Sequence, residues 1–261
     1  MLVFDEKKYA KEIIEKKEYH TVKNQGRENC ILVRYLKDIG YSNDKIISFL
    51  LKINVANHQF LSIDEKKIIF SKILKKATKY PLIKNIEVKL YKEELDIITK
   101  IEDKYIKRIL FVLLVYYKWA SQLEHLRFFS KNNNAYMVVE DNNSLWKIAG
   151  VNKLRVSDRY KIFNYLFQNS LYKIDNFKNY NYIYIPFSKS EGNEVIVINN
   201  YDNILGELEM YENPEKYKRC AVCGVVITKT RSPKKYCKEC ARKENIRKTK
   251  ENKKSLKTKS L

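Results

Sequence analysis

The sequence Cys220-Ala-Val-Cys223-Gly224, followed after a short interval by Cys237-Lys-Glu-Cys240, places four cysteines in two matched pairs with thirteen residues between the pairs. A Cys-x-x-Cys turn brings two thiolates to one side of a metal ion, and two such turns complete the tetrahedral shell of a structural zinc. Disulfides and a redox Cys-x-x-Cys are the alternatives. The spacing predicts a zinc ribbon with one structural Zn²⁺, and four thiolate ligands leave no position for a catalytic water.

The chain that follows the ribbon is strongly basic. From Lys229 onward, fourteen Lys or Arg stand against three Glu, a net charge of +11 out of +21 for the whole chain. Such a tail gains affinity for nucleic acid by releasing counterions from phosphates, and the alternatives are a solvated tail or a helix that begins near Cys240. The tail and the ribbon loop supply these candidate nucleic-acid-binding residues: Lys229, Arg231, Lys234, Lys235, Arg242, Lys243, Arg247 and Lys248.

The composition indicates a folded protein, because 44% of its 261 residues are hydrophobic and 31 are Phe or Tyr. The most apolar stretch, residues 109–117, is far shorter than the ~20 residues of a membrane span. The N-terminus also lacks the pattern of a secretory signal. We therefore expect a cytoplasmic protein without membrane contact, in which Cys30 is a buried small hydrophobic residue.

Residues 5–80, within a predicted N-terminal region of residues 1–85, have helical periodicity. Gly40 followed by Ser42-Asn-Asp-Lys is a helix stop followed by a cap, so residues 28–39 and 43–53 are predicted to form a helical hairpin. A further helix is predicted from Asp64 to a point before Pro81. This region offers no obvious chemistry.

Residues 86–212 contain elements in the order of a winged helix. A buried helix (105–119) precedes a β-rich run (135–140), two short helices (145–149 and 156–167) and two strands (182–187 and 194–198) predicted to pair through the loop 188–193. In the second short helix, Val156, Tyr160, Phe163 and Leu166 or Phe167 are predicted to face inward. The stretch from Tyr172 to Tyr184 is predicted to include an exposed, tyrosine-rich loop.

The second short helix is the candidate recognition helix, since that helix normally lies in the DNA major groove. Arg155 and Arg159 are four residues apart and share a helix face. A winged-helix-like module that contacts only protein is the alternative, because fold alone does not fix function. The candidate contacts are Lys153, Arg155, Arg159 and Lys161 on or near the helix, and Lys189 at the tip of the wing.

Three segments carry a resemblance to a known group of proteins: Lys107-Arg-Ile-Leu-Phe-Val-Leu-Leu-Val, Leu145-Trp-Lys-Ile-Ala-Gly, and the ribbon with Lys235-Tyr-Cys-Lys-Glu-Cys240-Ala. The chain resembles, over residues 28–245, uncharacterised zinc-ribbon, winged-helix-like proteins of phages and mobile elements of low-GC Gram-positive bacteria. The ribbon is the sharpest motif of the resemblance. The resemblance implies a DNA-associated role in gene control or replication and supplies no catalytic residues.

An enzymatic interpretation rests on Ile86-Glu-Val-Lys89, which matches the Glu-x-Lys half of a metal-dependent nuclease core. Such a core needs a further acid, and Asp64, inside a predicted helix, is the only plausible donor. The tetrapeptide is also common by chance in a chain rich in Lys and Glu. We therefore expect no enzyme, with a nuclease as a remote alternative.

The sequence as a whole predicts a mainly α protein with a winged-helix-like α+β centre, a small C-terminal zinc ribbon and a basic tail. The predicted regions are helical 1–85, winged-helix-like 86–212, ribbon 213–243 and a disordered or helical tail 244–261. The predicted partner is nucleic acid, DNA in preference to RNA. The alternative is a module that docks on host replication, transcription or defence machinery, and the oligomeric state is left open.

Overall fold

A computed structural model describes residues 3–20, 25–53, 61–123, 128–129, 135–138, 142–177, 180–230 and 234–258. The described chain is mainly helical and divides into two compact units, Met1–Ile86 with Ser121–Phe128, and Glu87–Ala120 with Phe129–Leu261. Within these residues no helix combines the length and the apolar character that crossing a membrane requires.

The first unit packs helices around an apolar core. Its helices are α1 (Glu6–Lys16), α2 (Gln25–Asp38), α3 (Asn43–Ile53) and α4 (Ile63–Ala77). The core includes Ile13, Leu32, Leu36, Leu50 and Phe70, all of them buried. Packing of α2 against α1, α3 and α4 buries the apolar stripe of each helix.

The predicted hairpin of α2 and α3 is confirmed, and its boundary follows from local chemistry. Gly40 has a φ of +87°, which glycine adopts without the cost that a Cβ would impose. The N–H of Gly40 donates to Lys37 O (3.0 Å) and the N–H of Tyr41 donates to Leu36 O (2.9 Å), which satisfies the last carbonyls of α2. The next helix then begins after Ser42.

A buried ion pair joins α1 to α2 in this unit. Both Nε and Nη2 of Arg34 donate to the carboxylate of Glu6, the Nε at 2.8 Å. The same carboxylate accepts the N–H of Ile83 at 3.1 Å. Cys30 is half-buried against the core, and burial raises the pKa of its thiol, in keeping with the role of a small hydrophobic residue.

The second unit has a buried central helix, as the sequence predicts. Residues 109–117 of α6 are buried, so this helix is covered on all sides over two turns. Tyr117 meets Tyr184 edge-on, with ring centroids 6.1 Å apart. The helices of the unit are α5 (Lys92–Thr99), α6 (Lys104–Ser121), α7 (Asn142–Ile148), α8 (Val156–Gln168), α9 (Ile204–Glu212) and α10 (Lys238–Thr258).

The strands of the described residues form three small sheets. They are β1 (Val88–Tyr91), β2 (Phe128–Phe129), β3 (Ala135–Val138), β4 (Lys173–Phe177), β5 (Tyr180–Tyr184), β6 (Glu194–Ile198), β7 (Tyr217–Arg219) and β8 (Val226–Thr228). One sheet pairs β1 with β6, one has the order β2-β3-β5-β4, and one pairs β7 with β8. The pairs β1–β6, β3–β5, β4–β5 and β7–β8 are antiparallel.

The predicted pairing of residues 182–187 with 194–198 is wrong. The first of these strands is shifted to Tyr180–Tyr184 and pairs with β4, from which it is separated by two residues in sequence, a length that favours a local hairpin. The second strand pairs with β1, in the register Leu90 opposite Ile196. The predicted tyrosine-rich loop is thus a pair of strands preceded by a buried Tyr172.

A buried polar network fixes the segment between β5 and β6. The fully buried Glu94 carboxylate accepts from Lys118 Nζ (2.8 and 2.9 Å) and from the N–H groups of Tyr91 (2.9 Å) and Lys189 (2.7 Å). Lys118 also donates to Lys189 O at 3.0 Å and lies 4.3 Å from the centre of the Tyr91 ring. Burial lowers the pKa of Lys118, and the paired Glu94 opposes that effect. The backbone of Lys189 is therefore anchored to the core.

Candidate metal centre and nucleic-acid interface

The four cysteines of the predicted ribbon lie together. The sulfurs of Cys220, Cys223, Cys237 and Cys240 are all within 4.8 Å of one another, and those of Cys223 and Cys237 are 3.7 Å apart. A tetrahedral zinc site with Zn–S bonds of about 2.3 Å requires neighbouring sulfurs about 3.8 Å apart. The cluster could hold one metal ion, and among the described residues it is the only group of three or more Cys, His, Asp or Glu placed to do so.

Tight turns position these sulfurs. Gly224 has a φ of +72°, which glycine adopts without strain, and its N–H donates to Cys220 O at 3.0 Å. The N–H of Cys237 donates to Cys220 Sγ at 3.2 Å, and the N–H of Cys240 donates to Cys237 Sγ at 3.4 Å. Backbone donors aimed at sulfur favour thiolate, the form that binds metal.

The thiols have unequal acidities. Burial would raise the pKa of Cys220, but backbone N–H groups, including those of Cys223 and Cys237, lower it to about 6. Burial and the neighbouring sulfurs raise the pKa values of Cys223 and Cys240. Four crowded sulfurs therefore resist simultaneous deprotonation, and a bound dication would remove that resistance.

The ribbon is seated directly on α9. Asn203 Nδ2, at the start of this helix, donates to Val226 O at 2.9 Å, and Asn200 Nδ2 donates to Cys223 O at 2.9 Å. A Cβ on Gly206 would lie 3.0 Å from the Cβ of Val226, so only glycine allows this close approach. These contacts hold β8 and the first knuckle against the helix.

Ion pairs extend this attachment. Arg219 on β7 makes two hydrogen bonds of 2.8 Å to the buried carboxylate of Glu207 on α9, and it also donates to Gly224 O at 3.2 Å. On the other side of α9, Arg108 of α6 lies 2.7 Å from Glu209, and Lys107 lies 2.8 Å from Glu212. The ribbon is therefore continuous with the core of the second unit.

The basic tail is a helix over most of its length, which is the helical alternative of the sequence analysis. The helix α10 runs from Lys238 to Thr258, and Cys240 lies in its first turn. Acidic and basic residues three or four positions apart form ion pairs along it, which stabilise a helix that has little apolar surface to bury. The four-cysteine cluster thus includes the start of α10.

The predicted tail contacts differ in their surroundings. Arg242, Lys243, Arg247 and Lys248 are all exposed. Lys243 lies 3.7 Å from Glu239, Arg247 lies 2.7 Å from Glu244 and from Glu251, and Lys248 lies 4.0 Å from Glu244. Sequence analysis did not select Lys238 and Lys250 as nucleic-acid-binding residues. Helical periodicity was the available signal, because on a helix both residues lie on the same side as Arg242.

The predicted nucleic-acid-binding residues of the ribbon loop lie close in sequence to the four-cysteine cluster. Lys229 Nζ donates to Pro214 O at 3.1 Å, so its charge is partly engaged with the chain. Lys234 and Lys235 are exposed, and Lys235 O accepts the N–H of Ala221 at 3.1 Å, which joins the loop to the first knuckle. Arg231 lies outside the described residues.

The predicted recognition residues of α8 separate into two roles. Arg159 donates to Leu154 O (3.2 Å) and Asn152 O (2.5 Å), and its guanidinium lies 5.4 Å from the centre of the Trp146 ring. These contacts stabilise the turn before α8. Exposed side chains are found at Lys153, Arg155 and Lys161; Lys161 lies 3.7 Å from Asp158. Lys189 also has an exposed side chain, but it is not at the tip of a wing as predicted, because β5 and β6 on either side of it pair with other strands.

The predicted inward face of α8 is partly wrong. Ile162 and Leu166 are buried, and Phe163 packs between Trp146 and Tyr172. Two predicted core residues are instead exposed, Val156 by 64% and Tyr160 by 67%; of the alternatives Leu166 and Phe167, the first is buried and the second is 62% exposed. Apolar residues occur all round this helix in the sequence, so periodicity alone leaves its rotation poorly determined.

The residues of the nuclease hypothesis make local ion pairs. Lys89 on β1 lies 2.9 Å from Glu194 on β6 and 4.0 Å from Glu87. Asp64 lies in the first turn of α4, 3.2 Å from Lys67. Pairing of Lys89 with Glu194 stabilises the β1–β6 sheet across its strands.

Comparisons of the chain with protein-family models, with curated proteins and with solved structures found no match. Its function is therefore argued from geometry and charge. The features that carry this argument are the four-cysteine cluster, the basic helix that starts in it, and the exposed cations before and on α8.

Proposed function

We propose that the protein binds DNA, with a structural zinc in the four-cysteine cluster, and that it serves phage or mobile-element gene regulation or replication. The observation that carries the proposal is that α10 begins within the metal cluster and bears exposed cations for several turns beyond it. A zinc ion on Cys237 and Cys240 would fix the first turn of this helix. Localised positive charge of this kind increases the affinity of a protein for nucleic acid, because contact with phosphates releases their condensed counterions.

The order of elements in the second unit supports a winged-helix-like centre. Helix α6, strand β3, helices α7 and α8, and the antiparallel pair β4–β5 follow one another, and β5 lies between β3 and β4. In a helix-turn-helix, the second helix enters the major groove with its N-terminal residues at the bases. Arg155 stands at the N-cap of α8, where it is exposed.

We propose a division of labour between these two elements. The cations of α10 and of the ribbon loop supply affinity that is independent of sequence and sensitive to salt. Arg155, Lys153 and Lys161 supply the readout of bases. Arg159, which the sequence analysis placed among the reading residues, acts here by holding the turn before α8.

The proposal is tested by binding the zinc-loaded protein to a random-library DNA duplex over a salt series, with sequencing of the bound fraction. Binding at about 150 mM salt, with a steep fall in affinity as salt rises, is the expected result. Deleting residues 241–261 is expected to weaken binding to all sequences alike and to flatten the salt dependence. No binding at this salt concentration would contradict the proposal.

Base readout is tested with Arg155→Gln and a charge-matched control, Lys11→Gln, on the exposed side of α1 in the first unit. The Arg155 variant is expected to lose discrimination between enriched and random duplexes, by about 1–3 kcal/mol for a bidentate base contact. The control is expected to retain it. Equal loss by both variants on every duplex would remove α8 from the readout.

A docking role on host replication, transcription or defence machinery is the second candidate, and the exposed apolar face of α8 favours it. Val156, Tyr160 and Phe167 recur at spacings of four and seven residues, so they share one face. Exposed aromatic residues are enriched among the residues that dominate protein interfaces. Absence of DNA binding together with unchanged folding would favour this candidate over the first.

A further inference from the structure

The charges of α10 are unevenly distributed around the helix. Glu244 and Glu251 lie seven residues apart on one side, and Arg247 lies between them, 2.7 Å from each. Lys248 also approaches Glu244, at 4.0 Å. These four residues form the ion-paired face, on which positive and negative charges compensate one another. Lys243 pairs separately with Glu239, at 3.7 Å, and lies closer around the helix axis to Lys250 than to Glu244 and Glu251.

A row of cations occupies the other side. Lys238, Arg242 and Lys250 are exposed, and no acidic side chain of the described residues lies within ion-pair distance of them. At 100° per residue, Glu244 and Glu251 lie roughly 160° and 180° around the axis from Arg242. On this side of the helix, the side chains that lie between Arg242 and Lys250 are those of Ile246 and Thr249, which are uncharged. We call Lys238, Arg242 and Lys250 the cation row.

The cation row has the length of a nucleic-acid contact. The twelve steps from Lys238 to Lys250 rise about 18 Å along the helix, and B-DNA presents a phosphate on each strand about every 3.4 Å of its axis. The row can therefore follow several phosphates. Ion-paired cations are poorer contacts, because a phosphate must compete with a carboxylate that already holds them and that repels the phosphate itself.

We propose that α10 contacts duplex DNA along its phosphate backbone through the cation row, while the ion-paired face points away and stabilises the helix. This inference rests on the proposed function and specifies which side of α10 serves it. It reassigns Arg247 and Lys248 from phosphate contact to helix stabilisation. It adds Lys238 and Lys250 to Arg242 as contacts.

The two faces allow a charge-matched experiment on the full-length, zinc-loaded protein. One variant carries Arg242→Gln and Lys250→Gln, and the other carries Arg247→Gln and Lys248→Gln. Each removes two positive charges from the same helix. Affinity for a 20-base-pair DNA duplex is measured for both variants and the unmodified protein over a salt series, and circular dichroism checks that α10 remains helical.

The slope of log affinity against log salt is the deciding quantity, because each phosphate contact on B-DNA contributes about 0.9 to it. The cation-row variant is expected to lose about 2 units of slope, and the ion-paired variant less than about 1. Equal losses would show that only total charge matters and would overturn the inference while leaving DNA binding intact. Failure of the unmodified protein to bind DNA would instead overturn the proposed function.

A third arm uses an RNA duplex of the same sequence, since RNA also presents phosphates. A greater loss of affinity for DNA than for RNA in the cation-row variant supports the inference. Tighter binding of the unmodified protein to RNA, with the same dependence on the row, would overturn the assignment to DNA.

Discussion

The first unit and the ribbon differ in what stabilises them. In the first unit, the helices bury a dozen apolar residues in one core. In the ribbon, among the described residues from 213 to 230 and 234 to 237, only Cys220, Val225 and Val226 are buried. Burial of apolar area can stabilise the first unit. The core of the ribbon is too small for that, so the ribbon needs a further interaction, such as a bound metal ion.

Both regions also contain an Arg–Glu pair, and the two pairs differ in exposure. Glu6 and Arg34 are both largely buried, whereas the side chain of Arg219 is 46% exposed beside the buried Glu207. Water can therefore replace part of the Arg219 contact but little of the Arg34 contact. The Arg219–Glu207 pair is therefore expected to stabilise the ribbon less than the Arg34–Glu6 pair stabilises the first unit.

Metal removal is expected to have the largest effect. Chelation of the zinc-loaded protein under reducing conditions should abolish the protection of the ribbon amides from hydrogen exchange, because structural zinc contributes on the order of 10 kcal/mol to such folds. The N–H groups of Cys220 and Gly224, which are hydrogen-bonded within the knuckle, are the reporters. Amides of α2 are the internal control and should keep their protection. Unchanged protection of the knuckle would show that the ribbon does not depend on metal.

Arg34→Met is expected to come second. It leaves the Glu6 carboxylate buried without its partner, which costs about 3–5 kcal/mol for a buried pair. Hydrogen exchange of the amides of α2 should report the loss in the first unit. Lys37→Met, an exposed substitution on the same helix, is the matched control and should change protection little. Comparable protection in both variants would contradict a structural role for the pair.

Arg219→Met is expected to have the smallest of the three effects, about 1–3 kcal/mol, because Glu207 loses two hydrogen bonds at a site that water can reach. Urea unfolding followed by tryptophan fluorescence measures it, since Trp119 and Trp146 both lie in the second unit. Lys218→Met on the same strand is the control. A loss as large as that of Arg34→Met would show that exposure does not decide the difference.

Local signals in the sequence were sufficient for the helical hairpin and for the cysteine cluster. Gly40 and Ser42 specify a stop and a start within a few residues, and Gly224 specifies the turn that places Cys220 beside Cys223. The buried helix α6 was also predictable, because its apolar residues are nearly continuous. Each of these features depends on neighbours close in the chain.

Features that depend on distant neighbours were not predictable in the same way. The pairing of β6 with β1 joins segments about a hundred residues apart, and the sequence between Ile185 and Glu194 resembles a hairpin connection. The rotation of α8 depends on Trp146 and Tyr172, which flank Phe163. The roles of the cations on α10 became distinguishable only once Arg247 was placed between two acids.

The position of Cys240 within the first turn of α10 has a geometric consequence. A metal ion bound by Cys240 would fix both the start of α10 and its rotation about its own axis. The four-cysteine cluster would therefore set the direction in which each later side chain of the helix points. Insertion of one residue between Ala241 and Arg242 would leave all four sulfurs in place and turn the rest of the helix by about 100°. The direction in which α10 displays its charge is thus encoded in the number of residues that separate it from Cys240.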